Sequence, residues 1–315
     1  MTSYRLDAGP DTVHWGFFES TLAPQLTIDS GERVTVSTVS GPPESMPAPP
    51  FVVPDALRAI HAHAKRRMAP IPGHMCTGPI AVRGAKAGQV LQVDIETIEL
   101  NYDWGYNNIV PGRGGLPDDF DEPRLIHIPL DRARMVGRLP WGMEVPLRPF
   151  FGVLATAPPK AWGTLSTVPP RRNGGNIDNK ELVAGTRLYL PIFVDGALFS
   201  VGDGHGAQGD GEVCLSAIET GLIGTFQLTA RPDMTLEWPM AETPTHIITM
   251  AFDPDLDDCV EIALRQMLKL ICARTGIDRY QAHTLMSLTA DLRITQIVNG
   301  NKGVHVMLEQ RYLKR

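Results

Sequence analysis

The stretch RLYLPIFVDGALFSVGDGHGAQGDGEV, residues 187–213, carries the strongest indication of the fold. Two apolar runs, RLYLPIFV and ALFSVG, flank the pair Asp195-Gly196. Asp-Gly is a favoured two-residue turn between antiparallel strands, because both turn positions need a positive φ angle. The stretch therefore predicts a β-hairpin whose second strand runs directly into a glycine-rich acidic segment.

Segments on both sides of this stretch predict more strands than helices. Alternating apolar residues predict strand pairs around turns in 26–39 and 79–100, and further strands near 213–219, 222–230, 245–252 and 303–313. Helical spacing of apolar residues occurs in 55–68, 255–274 and 278–290. The 27 prolines and 30 glycines are scattered over the whole chain, which indicates many turns. The predicted fold class is α+β and β-rich, with mainly antiparallel sheets, sandwich or barrel-like, and a few late helices.

The size of the chain, 315 residues, fits one large domain or two closely joined ones. We predict a single unit over residues 1–315. The alternative is a β-rich region, residues 1–250, closely joined to a helical region, residues 251–315. The 43% share of hydrophobic residues is ordinary for a globular protein, so extensive disorder is not expected.

Composition also excludes several classes of partner. The formal net charge is -6 and the basic cluster Lys65–Arg67 is short, so nucleic acid is not an expected partner. No apolar run reaches the roughly 18 residues of a membrane-spanning helix, so no membrane association is expected. The four cysteines form no Cys-x-x-Cys pair, and the N-terminal sequence MTSYRLDAGPDTVHWG lacks the apolar core of a signal peptide. These features predict a cytoplasmic location.

The segment GDGHGAQGDGE, residues 202–212, concentrates side chains of metal-binding type: Asp203, His205, Gln208, Asp210 and Glu212. Its five glycines make the backbone entropically costly to order, and a bound metal or ligand would offset that cost. In an extended chain Asp203 and His205 point to the same side, roughly 7 Å apart at Cα, which suits two ligands of one cation. An imidazole with carboxylates favours zinc or a similar transition metal over calcium. Glu212 either completes the ligand set or takes a proton from metal-bound water.

Three alternatives compete with a zinc-type site for residues 202–212. A calcium loop needs oxygen ligands at positions that His205 and Ala207 occupy here. The spacing GxGxxG in residues 204–209 is that of a dinucleotide-binding loop, but the carboxylates would repel a pyrophosphate and no helix follows at once. A surface loop rich in turn residues would need no ligand at all.

A second polar segment is NGGNIDNKE, residues 173–181. Asn176, Asp178, Asn179 and Lys180 cluster after its glycine pair. A lysine beside carboxylates could polarise a carbonyl or stabilise an oxyanion, and a side-chain amide could donate to the same oxygen. A polar turn with an ordinary exposed lysine accounts for the same residues.

Other candidate positions are single residues with a structural alternative. His74 precedes a predicted strand and is either a ligand or a structural histidine, and the same choice applies to His14 in VHWG. Arg113 lies between glycines in YNNIVPGRGGLPDDF and could bind an anion, or its loop is an irregular connection. Cys214 is close to Glu212 and is a candidate nucleophile, although it falls in a predicted strand.

Four segments together resemble the acetamidase/formamidase family and occur in the family's order. They are GHMCTGPIAVRGAKAGQVLQVDI (73–95), NGGNIDNKEL (173–182), LPIFVDGALFSVGDGHGAQGDGEV (190–213) and LRITQIVNGNKGVHV (292–306). The resemblance implies a β-rich α+β fold and a cytosolic homo-oligomer. It also implies hydrolysis of formamide, acetamide and short aliphatic amides to ammonia and the acid, with a divalent metal near the acidic glycine loop.

The resemblance extends to individual residues. The family's acidic loop is matched by Asp203, His205 and Glu212, its histidine before Thr-Gly-Pro by His74, and its Asn-Asp loop by Asp178 and Lys180. Two features depart from the family. The sequence after His14 lacks the usual Asp or Asn, and the proline-rich stretch 42–54 with the following helix 55–68 is particular to this chain. These departures leave room for a different pocket, a different substrate or an oligomer contact.

The predicted function is metal-assisted hydrolysis of small aliphatic amides. The metal, zinc with calcium or magnesium as alternatives, is held by Asp203, His205 and either His74 or Glu212. Glu212 or Asp210 transfers the proton from water to the leaving amine. Lys180 stabilises the oxyanion and Asp178 orients Lys180.

Two alternatives belong to other classes. One is a catalytically silent, metal-stabilised binding or assembly protein on the same scaffold. The other is a metal-independent amidase that uses Glu212, Lys180 and Cys214.

Overall fold

The computed structural model describes residues 3–64 and 73–313, and within these ranges it has 22 strands and three α-helices. The basic cluster Lys65–Arg67 and the end of the predicted helix 55–68 lie outside the described residues. The helices are α1 (Asp55–His63), α2 (Leu256–Thr275) and α3 (Arg279–Thr289). The strands are β1 (Ser3–Leu6), β2 (Val13–Trp15), β3 (Phe17–Phe18), β4 (Leu26–Asp29), β5 (Glu32–Ser37), β6 (Met75–Arg83), β7 (Val90–Leu100), β8 (Trp104–Ile109), β9 (Arg124–Asp131), β10 (Val136–Arg138), β11 (Glu144–Pro146), β12 (Phe150–Ala155), β13 (Leu165–Ser166), β14 (Gly174–Asn176), β15 (Thr186–Pro191), β16 (Phe199–His205), β17 (Glu219–Thr220), β18 (Leu222–Arg231), β19 (Met240–Glu242), β20 (His246–Asp253), β21 (Asp291–Gln296) and β22 (Lys302–Glu309).

These strands form two large sheets and one small sheet. The nine-stranded sheet has the order β1-β5-β18-β7-β15-β19-β20-β22-β21. The eleven-stranded sheet has the order β11-β10-β9-β8-β17-β16-β12-β14, with β6 joined to β16, β2 and β4, while β3 pairs with β13 separately. The described pairs are antiparallel except β1 with β5 and β4 with β6. The predicted β-rich α+β fold with mainly antiparallel sheets is confirmed.

An apolar core fills the space between the two large sheets. The ring of Phe226 in β18 lies 5.4 Å, centre to centre, from Phe151 in β12 and 5.8 Å from Phe199 in β16. The same core holds side chains from both layers, among them Val34, Val93, Leu190, Ile80 and Val201. Burying an aliphatic or aromatic side chain of this kind contributes about 1.5–3 kcal/mol. The alternating apolar residues in the sequence therefore mark the inner faces of a sandwich.

The predicted hairpin around Asp195-Gly196 is wrong, although both of its strands exist. β15 belongs to the nine-stranded sheet and β16 to the eleven-stranded sheet, so the turn carries the chain from one layer to the other. Residues 196–198 all have positive φ angles, and Gly196 forms backbone hydrogen bonds with Val82 at the end of β6 and with Ala85 beyond it. Because β16 is buried along its whole length, it needs a paired neighbour on each side, which a two-stranded hairpin does not supply.

The same change of layer occurs at the turns between β4 and β5 and between β6 and β7, where both strands are confirmed. The predicted strand 213–219 is wrong over most of its length, because Glu212 and Leu215 have positive φ angles and the chain turns repeatedly there. β21 was not predicted from the sequence.

The C-terminal helices pack on the outer side of the nine-stranded sheet. Asp255 caps α2 by accepting hydrogen bonds from two backbone N–H groups, and Gly276 ends it with a φ of 71°. Buried side chains of α2, such as Met267, contact the core formed by β20 and β22. β20 crosses the predicted boundary at residue 250, and the division of the chain there stays a prediction. None of the helices in the described ranges is both long and apolar enough to cross a membrane.

Candidate active site

Strand β16 carries two of the predicted metal ligands, Asp203 and His205, in the interior of the eleven-stranded sheet. The expectation of a flexible loop over 202–212 is therefore wrong as far as His205. Gly204 is required by close packing, because a Cβ there would lie 2.5 Å from the carbonyl oxygen of Thr220 on β17. A buried strand holds two ligand side chains in a more fixed geometry than a free loop would.

The imidazole of His205 is the centre of an acidic cluster. Its Nε2 lies 3.3 Å from Asp203 Oδ2 and 3.4 Å from Glu219 Oε1. His74 approaches from the start of β6, with its Nε2 3.6 Å from Asp203 Oδ2. His205, Asp203 and Glu219 are buried, whereas the side chain of His74 is 21% exposed. The cluster is therefore closed on its inner side and reachable from the side of His74.

Asp178 completes the inner side of this cluster. It was predicted to orient Lys180, but its Oδ2 instead accepts a hydrogen bond of 2.5 Å from Asn299 Nδ2. Its other oxygen lies 3.9 Å from His205 Nδ1. Gly152 on β12 leaves the space that these carboxylates occupy, since a Cβ at this position would lie closer than 3.0 Å to both Asp178 Oδ1 and Asp203 Oδ2. Any side chain larger than hydrogen at residue 152 would disturb the cluster.

Gln208 fixes the protonation of the His205 ring. Its Nε2 donates to the backbone carbonyl of Asp178 at 2.9 Å, so its Oε1 is the atom that faces His205 Nδ1 at 2.8 Å. Nδ1 must therefore carry a proton. In the neutral ring the lone pair then lies on Nε2, which faces the carboxylates of Asp203 and Glu219. Such an arrangement is repulsive unless a second proton or a cation lies between these groups.

Several buried polar atoms of the cluster have no hydrogen-bond partner among the described residues. They are His74 Nδ1, Asn176 Oδ1, Asp178 Oδ1, Asn179 Nδ2, His205 Nε2 and Glu212 Oε2. The backbone is also unusual here, because Asp178, Asp203 and Glu212 have φ angles of 52°, 58° and 47°. A non-glycine residue in this left-handed region costs on the order of 1–3 kcal/mol, and such residues concentrate at functional sites.

Two triads of side chains are close enough to share a metal ion. Asp178, Asp203 and His205 offer ligand atoms within 4.8 Å of one another. The same holds for His205, Glu212 and Glu219. The combination of one imidazole with carboxylates is typical of zinc and related transition metals.

Burial and neighbouring charges shift the pKa values of these groups strongly. Burial raises the pKa of Asp178 to about 6 against the opposing effect of His205. Burial and the carboxylate of Asp178 together raise the pKa of Glu212 well above its usual value. Burial lowers the pKa of His205, but Glu219 and Asp203 outweigh it and raise the pKa well above the usual value. Without a cation, the cluster therefore retains protons at neutral pH.

A cavity of about 240 Å³ opens onto the exposed side of the cluster. A single water needs only about 10–15 Å³, so the cavity has room for an organic molecule. Its wall includes Asp203, Glu212, Glu219 and Asn176 from the cluster, and Arg113 from the loop after β8. Residues 39–42 and Ser45 also line the cavity, so the start of the proline-rich stretch contributes to the pocket.

The structure does not bring Lys180 and Asp210 into this cavity. They form an ion pair with each other, 3.0 Å between Nζ and Oδ2, and line a second cavity of about 580 Å³. Glu212 lines both cavities, and Cys214 lines the second. The Cys214 thiol contacts Asn107 and the Ser216 carbonyl rather than Lys180 or Glu212.

Other residues of the site were not predicted. Glu219, Asn299 and Gly152 lie outside the acidic segment 202–212, and no local pattern linked them to it. The segment around Asn299 belongs to a stretch that resembles the family, and this resemblance was the one available signal. His14 lies elsewhere, with its ring nitrogens bonded to Phe17 O and Ser200 Oγ, which is a structural role.

Comparisons with known proteins agree on one family. A sequence model of the Acetamidase/Formamidase family matches residues 65–163 and 161–308. The acetamidase of Mycolicibacterium smegmatis is 32% identical over 48% of this chain and 52% of that protein. The formamidase of Methylophilus methylotrophus is 31% identical over 46% of this chain and 49% of that protein. The chain thus spans about half the length of these curated relatives. A crystal structure of a predicted acetamidase/formamidase from Thermoanaerobacter tengcongensis superposes with a TM-score of 0.86 and 27% identity, covering 99% of this chain and 97% of that one.

Proposed function

The chain belongs to the acetamidase/formamidase family, and we propose that it hydrolyses short aliphatic amides to a carboxylic acid and ammonia with a divalent cation at the His205 cluster. The names of the two curated relatives, acetamidase and formamidase, support amide hydrolysis. The cavity beside the cluster has room for such a substrate. The proposed substrate is therefore a small amide rather than a peptide or a nucleic acid.

The observation that carries the proposal is the environment of His205 Nε2. Gln208 keeps a proton on Nδ1, so Nε2 is the nitrogen that faces Asp203 and Glu219, at 3.3 and 3.4 Å. A divalent cation fits these residues, because it would accept the lone pair and neutralise the carboxylates. The unpartnered oxygens of Asp178 and Glu212 support the same interpretation.

We assign the ligand set to Asp178, Asp203 and His205, with His74 at the open side. A bound divalent cation would supply Lewis-acid activation of water and of the amide carbonyl. Glu212 remains free to take the proton from water, because it lines the cavity and one of its buried oxygens has no partner among the described residues. A positive charge beside Glu212 would lower its raised pKa and leave the carboxylate form that accepts a proton. The same group then returns the proton to the leaving amine.

The remaining polar residues take positioning roles in this proposal. Asn176 lines the cavity with an unpartnered side-chain oxygen, so its amide is placed to accept from the substrate –NH₂ group or to donate to the carbonyl. The predicted oxyanion role of Lys180 is replaced by its ion pair with Asp210, which holds the loop that carries Gln208. Zinc as the metal, a cytoplasmic location and a homo-oligomeric state remain predictions.

Ammonia release from formamide, acetamide and propionamide tests the proposal directly. The protein is assayed as purified, after chelation, and after zinc add-back. Glu212→Gln is expected to keep the fold and lose activity by a factor on the order of 10²–10⁴, the usual contribution of proton transfer by a positioned side chain. Glu261→Gln, at a side chain on α2 that is 60% exposed, is the matched control and keeps full activity. Turnover by Glu212→Gln close to that of the control would refute the assigned role.

The same experiment separates the two alternatives. Release that survives thorough metal removal and disappears in Cys214→Ser would favour the metal-independent amidase, whose members Glu212, Lys180 and Cys214 all line the second cavity. A protein that binds the metal but releases no ammonia from any of these amides would favour the silent binding protein.

A further inference from the structure

We propose, on the basis of the amidase function above, that the substrate is a short amide with a carboxylate at its far end, and that Arg113 binds this carboxylate. The substrate class is the monoamides of small dicarboxylic acids. The amide end lies at the acidic cluster, and the carboxylate end lies at the loop after β8.

Arg113 is the one arginine or lysine among the described residues that line the cavity. Its side chain has no hydrogen bond, ion pair or ring contact with any residue in the described ranges. Most of the other arginines in the described ranges form an ion pair, as Arg124 does with Glu122 at 2.8 Å. An unpaired, partly buried guanidinium inside a cavity indicates a group reserved for an external anion.

The loop around Arg113 is fixed rather than freely mobile. The backbone N–H of Arg113 donates to Val110 O at 3.0 Å, and Gly115 N donates to Val213 O at 2.7 Å. Gly114, with a φ of 86°, passes close to the same segment, since a Cβ there would lie 3.1 Å from Val213 O. The arginine is thus anchored to the segment that follows Glu212. This arrangement holds the backbone of Arg113 beside the segment that follows the proton-transferring Glu212.

The charges that line the cavity determine the orientation of the substrate. Asp203, Glu212 and Glu219 line the inner wall, and they would repel a carboxylate placed beside them. Arg113 forms no ion pair with any of these three carboxylates, so they do not neutralise its positive charge. The side-chain amide of Asn108, which also lines the cavity without a partner in the described ranges, can donate to the same anion. A planar carboxylate can accept two hydrogen bonds from the arginine fork.

The test compares succinamate with succinamide, its neutral isostere, in ammonia-release assays of the metal-loaded protein, with acetamide assayed in parallel. Wild-type protein is expected to prefer succinamate in kcat/KM by about tenfold or more. Arg113→Gln is expected to lower kcat/KM for succinamate on the order of 10- to 100-fold and to remove the preference. Arg113→Lys, which keeps the charge without the fork, is expected to retain some of it. Arg124→Gln, at an exposed ion pair outside the cavity, is the matched control and keeps the wild-type ratio.

Each result bears on the proposal. Hydrolysis of acetamide with equal kcat/KM for succinamate and succinamide would overturn the carboxylate specificity while leaving the amidase function intact. A preference that survives in Arg113→Gln would overturn the role of Arg113. If no ammonia is released from any amide, the proposed amidase function is wrong, and the proposed substrate class is wrong as well. Competitive inhibition of acetamide hydrolysis by succinate that weakens in parallel in Arg113→Gln would support the proposal without relying on the hydrolysis of succinamate.

Discussion

Replacing Gln208 by leucine should weaken metal binding at a site that the substitution does not touch directly. Gln208 accepts from His205 Nδ1 at 2.8 Å and donates to the Asp178 carbonyl at 2.9 Å. Leucine removes the acceptor, so the neutral ring is free to carry its proton on Nε2 instead. That proton would point to Asp203 and Glu219 and occupy the position where the ring should bind a cation.

The expected size of this effect follows from two independent estimates. Loss of the outer partner of a metal-bound histidine typically lowers metal affinity or activity about 10- to 100-fold. That range corresponds to about 1.4–2.8 kcal/mol. Leaving a buried donor such as His205 Nδ1 without a partner costs about 1–3 kcal/mol, which is the same range. Zinc affinity of Gln208→Leu should therefore fall by one to two orders of magnitude, with a parallel loss of ammonia release.

Zinc affinity is measured by competition with a chromophoric chelator, and unfolding by urea titration of the same samples. Gln208→Glu keeps an acceptor for Nδ1 and should bind zinc within about tenfold of wild type. Gln89→Leu removes a side-chain hydrogen bond to backbone at an exposed turn, and it controls for general destabilisation. A Gln208→Leu variant with wild-type zinc affinity would refute the tautomer argument. Equal losses in Gln208→Leu and Gln89→Leu would refute it as well.

Three further predictions concern the cluster and the fold. Gly152→Ala places a Cβ closer than 3.0 Å to carboxylate oxygens of Asp178 and Asp203, so we expect a folded protein with at least tenfold weaker zinc binding; unchanged affinity would contradict the packing argument. Because Glu219 and Asp203 raise the pKa of His205 above its usual value despite burial, zinc binding at pH 7 should release protons, and calorimetry in two buffers that shows none would contradict this. Burial lowers the pKa of His14 to about 4, below the roughly 6.5 of an unfolded histidine, so its contribution is present above pH 6.5 and is lost as the pH falls towards 4. Between pH 6.5 and 4, the free energy of unfolding by urea should therefore fall by up to about 3 kcal/mol more in wild type than in His14→Gln. If the free energies of the two proteins fall in parallel with pH, His14 is not the cause of the acid destabilisation.

Local patterns predicted the strands because these depend on short-range alternation. They also singled out Asp203 and His205, which are two residues apart on β16 and both reach the cluster. Because Asp203 has a φ of 58°, simple alternation of side chains does not explain why the two converge. The hairpin prediction failed because a turn signal states where the chain bends and not which strand pairs with which. In this fold β15 and β16 find their partners in different sheets, across long sequence separations.

Lys180 lies away from the cluster, and the backbone at Asp178 gives the physical reason. Asp178 and Lys180 are also two residues apart, and alternation would put them on one side. The positive φ of Asp178 breaks the extended chain at that residue, so the carboxylate turns into the cluster and the ammonium turns towards Asp210. Glu219 and Gly152 could not be predicted at all, because their relation to His205 exists only after the strands pair.

The cavity is lined by residues of paired strands and by residues of loops. These two groups of residues should differ in how readily they tolerate substitution. Asp203, His205 and Gly152 lie on central, paired strands, where any change in geometry would also disturb the sandwich core. The cavity is also lined by residues 39–42, by Ser45 and by Arg113 in its glycine-flanked loop, and none of these belongs to a strand. Loops on a rigid scaffold tolerate substitution better than the strands that carry them. Substitutions in these two loops should therefore change which amide the proposed amidase accepts, while the proposed cation site and its proton chemistry stay the same.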